Sequence, residues 1–85
     1  MKNIDLIKSF HAGATKGRTE KLKIVDNQLI HYDWAVLAER IEDGLYIIYD
    51  GWTGYSATTS KIMYYIRANA PLYTTISERK KEVHQ

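Results

Sequence analysis

The run "WAVLAERIEDGLYIIYD", Trp34 to Asp50, limits the fold more than any other part of the chain. Two apolar-rich segments flank Asp43-Gly44, and an acidic residue followed by glycine suits the positive-φ positions of a tight hairpin. With a two-residue turn, Glu42 faces Leu45, and counting back pairs Arg40 with Ile47, Ala38 with Tyr49 and Val36 with Gly51. Opposed residues share a face. Val36, Ala38, Leu45, Ile47 and Tyr49 are therefore expected on one side, with Leu37, Ile41, Tyr46 and Ile48 on the other. Both sides are apolar, so either both are covered or one is left for a partner.

The same period of two appears upstream. "KLKIV" alternates Leu22 and Ile24 with Lys21 and Lys23, "DN" offers a two-residue reversal, and "QLIHYD" follows as a second strand. Together these segments predict an antiparallel meander of about four strands. Before it, Ile4, Ile7 and Phe10 recur at helical spacing and predict a short helix over Ile4 to His11, with Asn3 able to cap it. "AGATKGR" then reads as a loop or the start of an edge strand. After the Asp43-Gly44 hairpin, Ile62, Tyr65, Ile66 and Asn69 predict a helix over Thr59 to Ala70 with one buried stripe, stopped by Pro71. "LYTTISERKKEVHQ" is either one more strand, Leu72 to Ile76, with a charged end, or a frayed extension. The fold class is α+β in a single domain over residues 1–85. Residues 1–15 form a short helix and loop, 16–70 the meander and the helix packed across one of its faces, and 71–85 a terminal strand or tail.

The connection "YDGWTGYSATTSK", Tyr49 to Lys61, raises the question of a phosphate loop. A loop of that kind needs G-x-x-x-x-G-K-[ST], so that backbone amides converge while the lysine reaches the phosphates. Here the glycines are three apart and the lysine follows the second by seven, and the pattern fails. The residues fit a strand-to-helix passage better: Gly51 and Gly54 permit positive φ, and Thr58 or Thr59 caps the helix. Trp52 and Tyr55 are not required by the turn, so they are either contact residues or lids on a small core.

Composition narrows the function classes. A chain of 85 residues buries only about 60 to 65% of its unfolded surface, which disfavours a deep enclosed active site. The absence of cysteine excludes disulfides, thiolate metal sites and thiol chemistry. His11, His31 and His84 lie far apart, no serine sits in a G-x-S-x-G setting, and no carboxylate pair suggests an acid and base couple. The expectation is a protein that is not an enzyme, with no catalytic residue, cofactor or metal. No apolar run approaches the ~18 to 20 residues of a membrane span, and "MKNIDLIKSF" carries Asp5 and no long apolar region, so a cytoplasmic location is expected.

Charge is distributed in blocks. Lys16 to Lys23 is basic, Ile24 to Ser60 is acidic, and the chain from Lys61 onward is basic again, for a net charge of only +2. Such a chain pairs its own segments across the fold or presents two faces of opposite sign. Lys16, Arg18, Lys21 and Lys23 are candidates for nucleic-acid contact, with Tyr64 and Arg67 able to join them from the helix. The weak total charge, the acidic middle and the lack of an aromatic RNA-binding motif count against that. The candidate protein-contact residues are Trp52, Tyr55, Lys61, Tyr64 and Arg67.

From Lys16 to Ala70 the chain resembles small proteins of tailed phages and prophages that share a domain of unknown function. The matching pieces are the strand and turn Leu22 to Asp26, Tyr32, the run Leu37-Ala38-Glu39-Arg40, the turn Asp43-Gly44, and "YSATTSK" from Tyr55 to Lys61. "GWTG" departs from the simpler turn of that pattern, and both termini lie outside it. The resemblance implies a mobile-element accessory protein in a bacterial host cytoplasm. With small size and no catalytic constellation, it leads to the expectation of a non-enzymatic binding protein that inhibits a host defence machine, such as a CRISPR effector, by protein contact. The alternatives are a small nucleic-acid-binding regulator and a homo-oligomeric virion or assembly component.

Overall fold

The computed structural model describes residues 2–42 and 44–82. It is α+β: one six-stranded sheet with two helices packed against it. In chain order the elements are α1 (Asn3–His11), β1 (Lys16–Arg18), β2 (Leu22–Val25), β3 (Gln28–His31), β4 (Ala35–Glu42), β5 (Leu45–Tyr49), α2 (Ala57–Asn69) and β6 (Leu72–Ile76). Strand order follows chain order, and β1 to β5 form the expected antiparallel meander. The two strands beyond the expected four come from the segments at either end. β1 grows from "KGR", and β6 returns through a 3₁₀ turn (Asp50–Trp52) and α2 to lie parallel to β5. A parallel neighbour needs such a crossover, and α2 supplies it.

Two irregularities decide which residues face the core. Glu42 pairs with Leu45 as the hairpin predicts, but a register shift between Arg40 and Glu42 then sets Arg40 opposite Tyr46, Glu39 opposite Ile47 and Ala38 opposite Ile48. The expected pairs of Arg40 with Ile47 and Ala38 with Tyr49 are thus corrected by one residue. The extra residue, Ile41, is exposed. Gly44 has a φ of 79°, as the turn requires, while Asp43 lies outside the described residues. A second shift, between Leu29 and Ile30, inserts Leu37 into β4.

The result is a continuous row, Gly17, Ile24, Leu29, Ala38, Ile48 and Thr75, each directly opposite the next. Its four middle members are buried and belong to the core with Leu6, Ile7 and Phe10 of α1 and Ile62, Met63 and Ile66 of α2. On the other face run Lys16, Val25, Gln28, Glu39, Ile47 and Thr74.

The helix ends differ from expectation. Asn3 is the first residue of α1 and does not cap it: Lys2 precedes it without a side-chain cap, and Asn3 Oδ1 instead accepts from the Thr19 hydroxyl at 2.6 Å. The C-terminal carbonyls of α1 are better served. Tyr46 Oη donates to His11 O at 3.0 Å and Phe10 O at 3.3 Å, and the Arg40 guanidinium donates to Phe10 O at 3.1 Å. A cation there also suits the helix dipole. α2 is capped by Ser56, whose hydroxyl accepts from Thr59 N at 3.1 Å, so Thr58 and Thr59 stand inside the first turn. Of the expected stripe Ile62 and Ile66 are buried, Met63 joins them, and Tyr65 and Asn69 are half-buried.

Candidate binding surface

The strand-to-helix connection is closed by the C-terminal segment, residues 78–82. Gly51 does not take the positive φ expected of it; Gly54 does, at 89°. Gly51 is needed for close approach, because a Cβ there would lie 2.6 Å from the carbonyl carbon and oxygen of Glu78. Past that contact, Arg79 Nε donates to Gly51 O at 2.8 Å, and Lys80 O accepts from Trp52 Nε1 at 3.2 Å and from Val36 N at 3.0 Å. The segment straps the start of β4, with Lys81 opposite Ala35 in an antiparallel bridge.

Under the strap sits an aromatic cluster. Trp34 and Trp52 meet edge to face at 5.3 Å, Trp52 and Tyr55 at 5.2 Å. Arg79 lies 5.8 Å over Trp52 and 5.4 Å over Tyr55, and Lys81 lies 5.8 Å over Trp34. These are cation–π distances. Trp52 is only 1% exposed, which takes its ring out of any contact surface and makes it a core residue; Tyr55 is 44% exposed. Nearby, Glu39 joins Tyr49 Oη at 2.6 Å and Lys80 Nζ at 3.2 Å. Burial alone would raise the Glu39 carboxyl, but the hydrogen bonds from Tyr49 and Lys80 prevail and hold it below its usual value.

The other candidate residues do not gather into one patch. Arg67 pairs with Asp50 at 2.7 Å and donates to Thr53 Oγ1 at 3.1 Å, so it anchors the 3₁₀ turn. Tyr64 is exposed on α2 with its ring beside Tyr65. Lys61 lines a separate cavity. Among the basic candidates, Lys16, Arg18 and Lys23 share the β1–β2 surface, but Arg18 pairs with Asp33 at 2.9 Å and Lys23 lies 3.5 Å from the same carboxylate. Two of that strip's three basic groups are thus paired from within the fold. Lys21 leaves the strip and lines the cavity with Lys61.

Two features of β3 were not read from the sequence. Tyr32 and Asp33, in the turn to β4, both take left-handed φ values of 56° and 64°, a conformation uncommon for a bulky ring. His31 is fully buried, with Nδ1 3.4 Å from Thr59 Oγ1 and no partner for Nε2, and the Tyr32 ring stacks on it at 3.7 Å. Burial first, and the Lys21 ammonium second, push its pKa down to about 4. Among the described residues, no three His, Asp or Glu side chains are placed to hold a metal ion, and no helix is long and apolar enough to cross a membrane.

The least protected surface is the β6 edge. It pairs with β5 on one side only, and all five residues, "LYTTI", are exposed, Leu72 at 63%, Tyr73 at 39% and Ile76 at 38%. Native sheets usually blunt an edge with charge, proline, a bulge or brevity. The opposite edge does so: β1 has three residues, of which Lys16 and Arg18 are charged. β6 has none of these protections. A five-residue neutral β-prone run after Pro71 is visible in the sequence; that it forms an edge is not. No protein-family model matches the chain, and no curated protein or solved structure shows significant similarity to it.

Proposed function

We propose that this chain is a non-enzymatic binding protein that acts by protein–protein contact through the open edge of β6. The observation that carries the reading is the contrast between the two sheet edges: one short and charged, the other five residues long, neutral and apolar. A partner strand added to β6 gains main-chain hydrogen bonds from the ladder and side-chain contacts with Leu72, Tyr73 and Ile76. Tyr55 and Tyr64 are the exposed aromatic residues among the remaining contact candidates. Following the likeness to phage and prophage proteins, the partner is a host protein in the bacterial cytoplasm, with a CRISPR effector or another defence protein as the concrete candidate.

The test compares the purified wild-type chain with the Leu72→Lys/Ile76→Lys variant in capture of individually purified defence effectors. Both side chains are already solvent-facing, so circular dichroism should report an unchanged fold. Capture by the wild type that falls at least tenfold in the variant supports the reading. Equal capture by both proteins, or none by the wild type, refutes it.

A further inference from the structure

We infer that the cavity between the start of α1, the β1–β2 turn and the first turns of α2 is a binding site for the phosphate group of a small ligand. The cavity, of about 570 Å³, is lined by Lys2, Asn3 and Ile4 from the first element, Lys21 from the second, and Thr58, Lys61, Ile62 and Tyr65 from the third. Its size falls within the range of small-molecule sites. Three lysines that are 19 and 40 residues apart in sequence are thus brought around one hollow, and no carboxylate lines it.

The pairing of basic groups elsewhere makes this concentration informative. Of the nine lysines and arginines elsewhere, Arg18, Lys23, Arg67 and Lys80 each face a carboxylate, Arg40, Arg79 and Lys81 rest on carbonyls or aromatic rings, and only Lys8 and Lys16, which stand apart from the cavity, have no such partner among the described residues. The side-chain ammonium groups of Lys2, Lys21 and Lys61 have no hydrogen-bond or ion-pair partner among the described residues; Lys2 and Lys21 bond through their backbones only. Glu20 is close by but lines only an adjoining hollow.

Backbone and side-chain donors add to the charge. α1 has no side-chain cap, and the amides of Asn3 and Ile4 have no acceptor among the described residues. The capping position is held by Lys2, whose side chain has no acceptor oxygen, while Asn3 Oδ1 accepts from Thr19 and its amide nitrogen has no acceptor among the described residues. Orphan first-turn amides at the positive end of a helix favour an anion. Ile4, Ile62 and the half-buried Tyr65 provide an apolar wall for an organic body attached to the phosphate. The site does not depend on the β6 edge or on the identity of any protein partner.

The experiment is a titration of the full chain with adenosine 5′-monophosphate, inorganic phosphate and adenosine, read by amide chemical shifts in low-salt buffer. Saturable shifts centred on Asn3, Ile4, Lys21 and Lys61 are expected with both phosphate-bearing probes and not with adenosine. Tighter binding of the nucleotide than of phosphate identifies a phosphorylated organic molecule; equal binding identifies the free ion. The Lys21→Gln/Lys61→Gln variant should weaken binding at least tenfold while its unliganded spectrum keeps the native dispersion. Absence of saturation at 10 mM probe, equal shifts along Lys16, Arg18 and Lys23, or undiminished binding by the variant would each overturn the assignment.

Discussion

Replacing Gly51 with alanine tests how the strap is held. Gly51 is not in the left-handed region, so only the contact changes. The new methyl would sit 2.6 Å from the Glu78 carbonyl carbon and oxygen and 3.0 Å from its nitrogen, well inside the ~3.5 to 4.0 Å at which such atoms attract. Backbone stands on both sides of the clash. The 3₁₀ turn is held by the Arg67–Asp50 pair and the Thr53 N–Asp50 O bond, so residues 78–82 must give way. Complete release would sacrifice the bonds from Trp52 Nε1 and Val36 N to Lys80 O, from Arg79 to Gly51 O, from Glu82 N to Trp34 O, and from Lys80 Nζ to Glu39 and Tyr49. At about 1 kcal/mol net each, that is about 6 kcal/mol, while accommodating a misfit in place costs about 1 to 3 kcal/mol. The smaller of the two governs, so a loss of about 1 to 3 kcal/mol is expected in urea unfolding followed by tryptophan emission, with a red-shifted native maximum as water reaches the cluster. Gly54→Ala is the control. Gly54 has nothing within 4 Å of a built Cβ and a φ of 89°, so alanine there should destabilise by about 1 to 2 kcal/mol without moving the maximum. An unshifted maximum and a stability within about 0.5 kcal/mol of wild type for Gly51→Ala would refute the role given to the strap.

Acid should weaken the fold through His31. Its pKa falls from 6.5 to about 4 on folding, so the unfolded chain binds the extra proton first; stability is full above pH 6.5 and declines as pH falls toward 4. The drop is about 3 kcal/mol, and in His31→Leu the denaturation midpoint should lose most of that slope, leaving the smaller part due to His11, whose pKa burial also lowers. An unchanged slope in the variant would remove His31 as the cause. Ser56→Ala should cost about 1 kcal/mol in chemical denaturation, because the Ser56 hydroxyl satisfies Thr59 N; Thr58→Ala, outside the cap, should cost clearly less.

Much of the architecture can be read from local pattern. The "DN" reversal, the Asp43-Gly44 hairpin, both helices and the Pro71 stop depend on turn chemistry and periodicity, which act over a few residues. What escaped depends on distance. Counting back from the turn gives Ile47 and Tyr49 the wrong partners, Arg40 and Ala38, because both faces of the β4–β5 hairpin are apolar and the alternation does not reveal the bulge at Ile41. Gly51 looked like a turn glycine because Glu78, the residue that requires it, is 27 positions away. Trp52 carries no local mark of direction, since rings bury as readily inside as between chains. The site residues fared less well than the fold for the same reason: Lys2, Lys21 and Lys61 belong to three separate segments, and only packing α1 against α2 unites them.

The alternation of charge along the chain takes on a different meaning once these pairings are known. Asp33, Asp50 and Glu39 of the acidic middle receive Arg18 and Lys23, Arg67, and Lys80 from its flanks, so three of its six acidic residues hold strands and strap in register. Several of these pairs are partly exposed and individually contribute little to stability. Their main effect is to leave a small remainder. Apart from the separate Lys8 and Lys16, subtracting them leaves the lysines around the α1–α2 cavity as a cluster of positive charge without an internal partner, while β6 remains an exposed edge strand without charge. The two features make opposite demands on solvent: raising salt should weaken an anion at the cavity and leave strand addition at the edge nearly unaffected. Binding that responds to salt and to Lys21→Gln/Lys61→Gln therefore reports the cavity, and binding that responds only to Leu72→Lys/Ile76→Lys reports the edge.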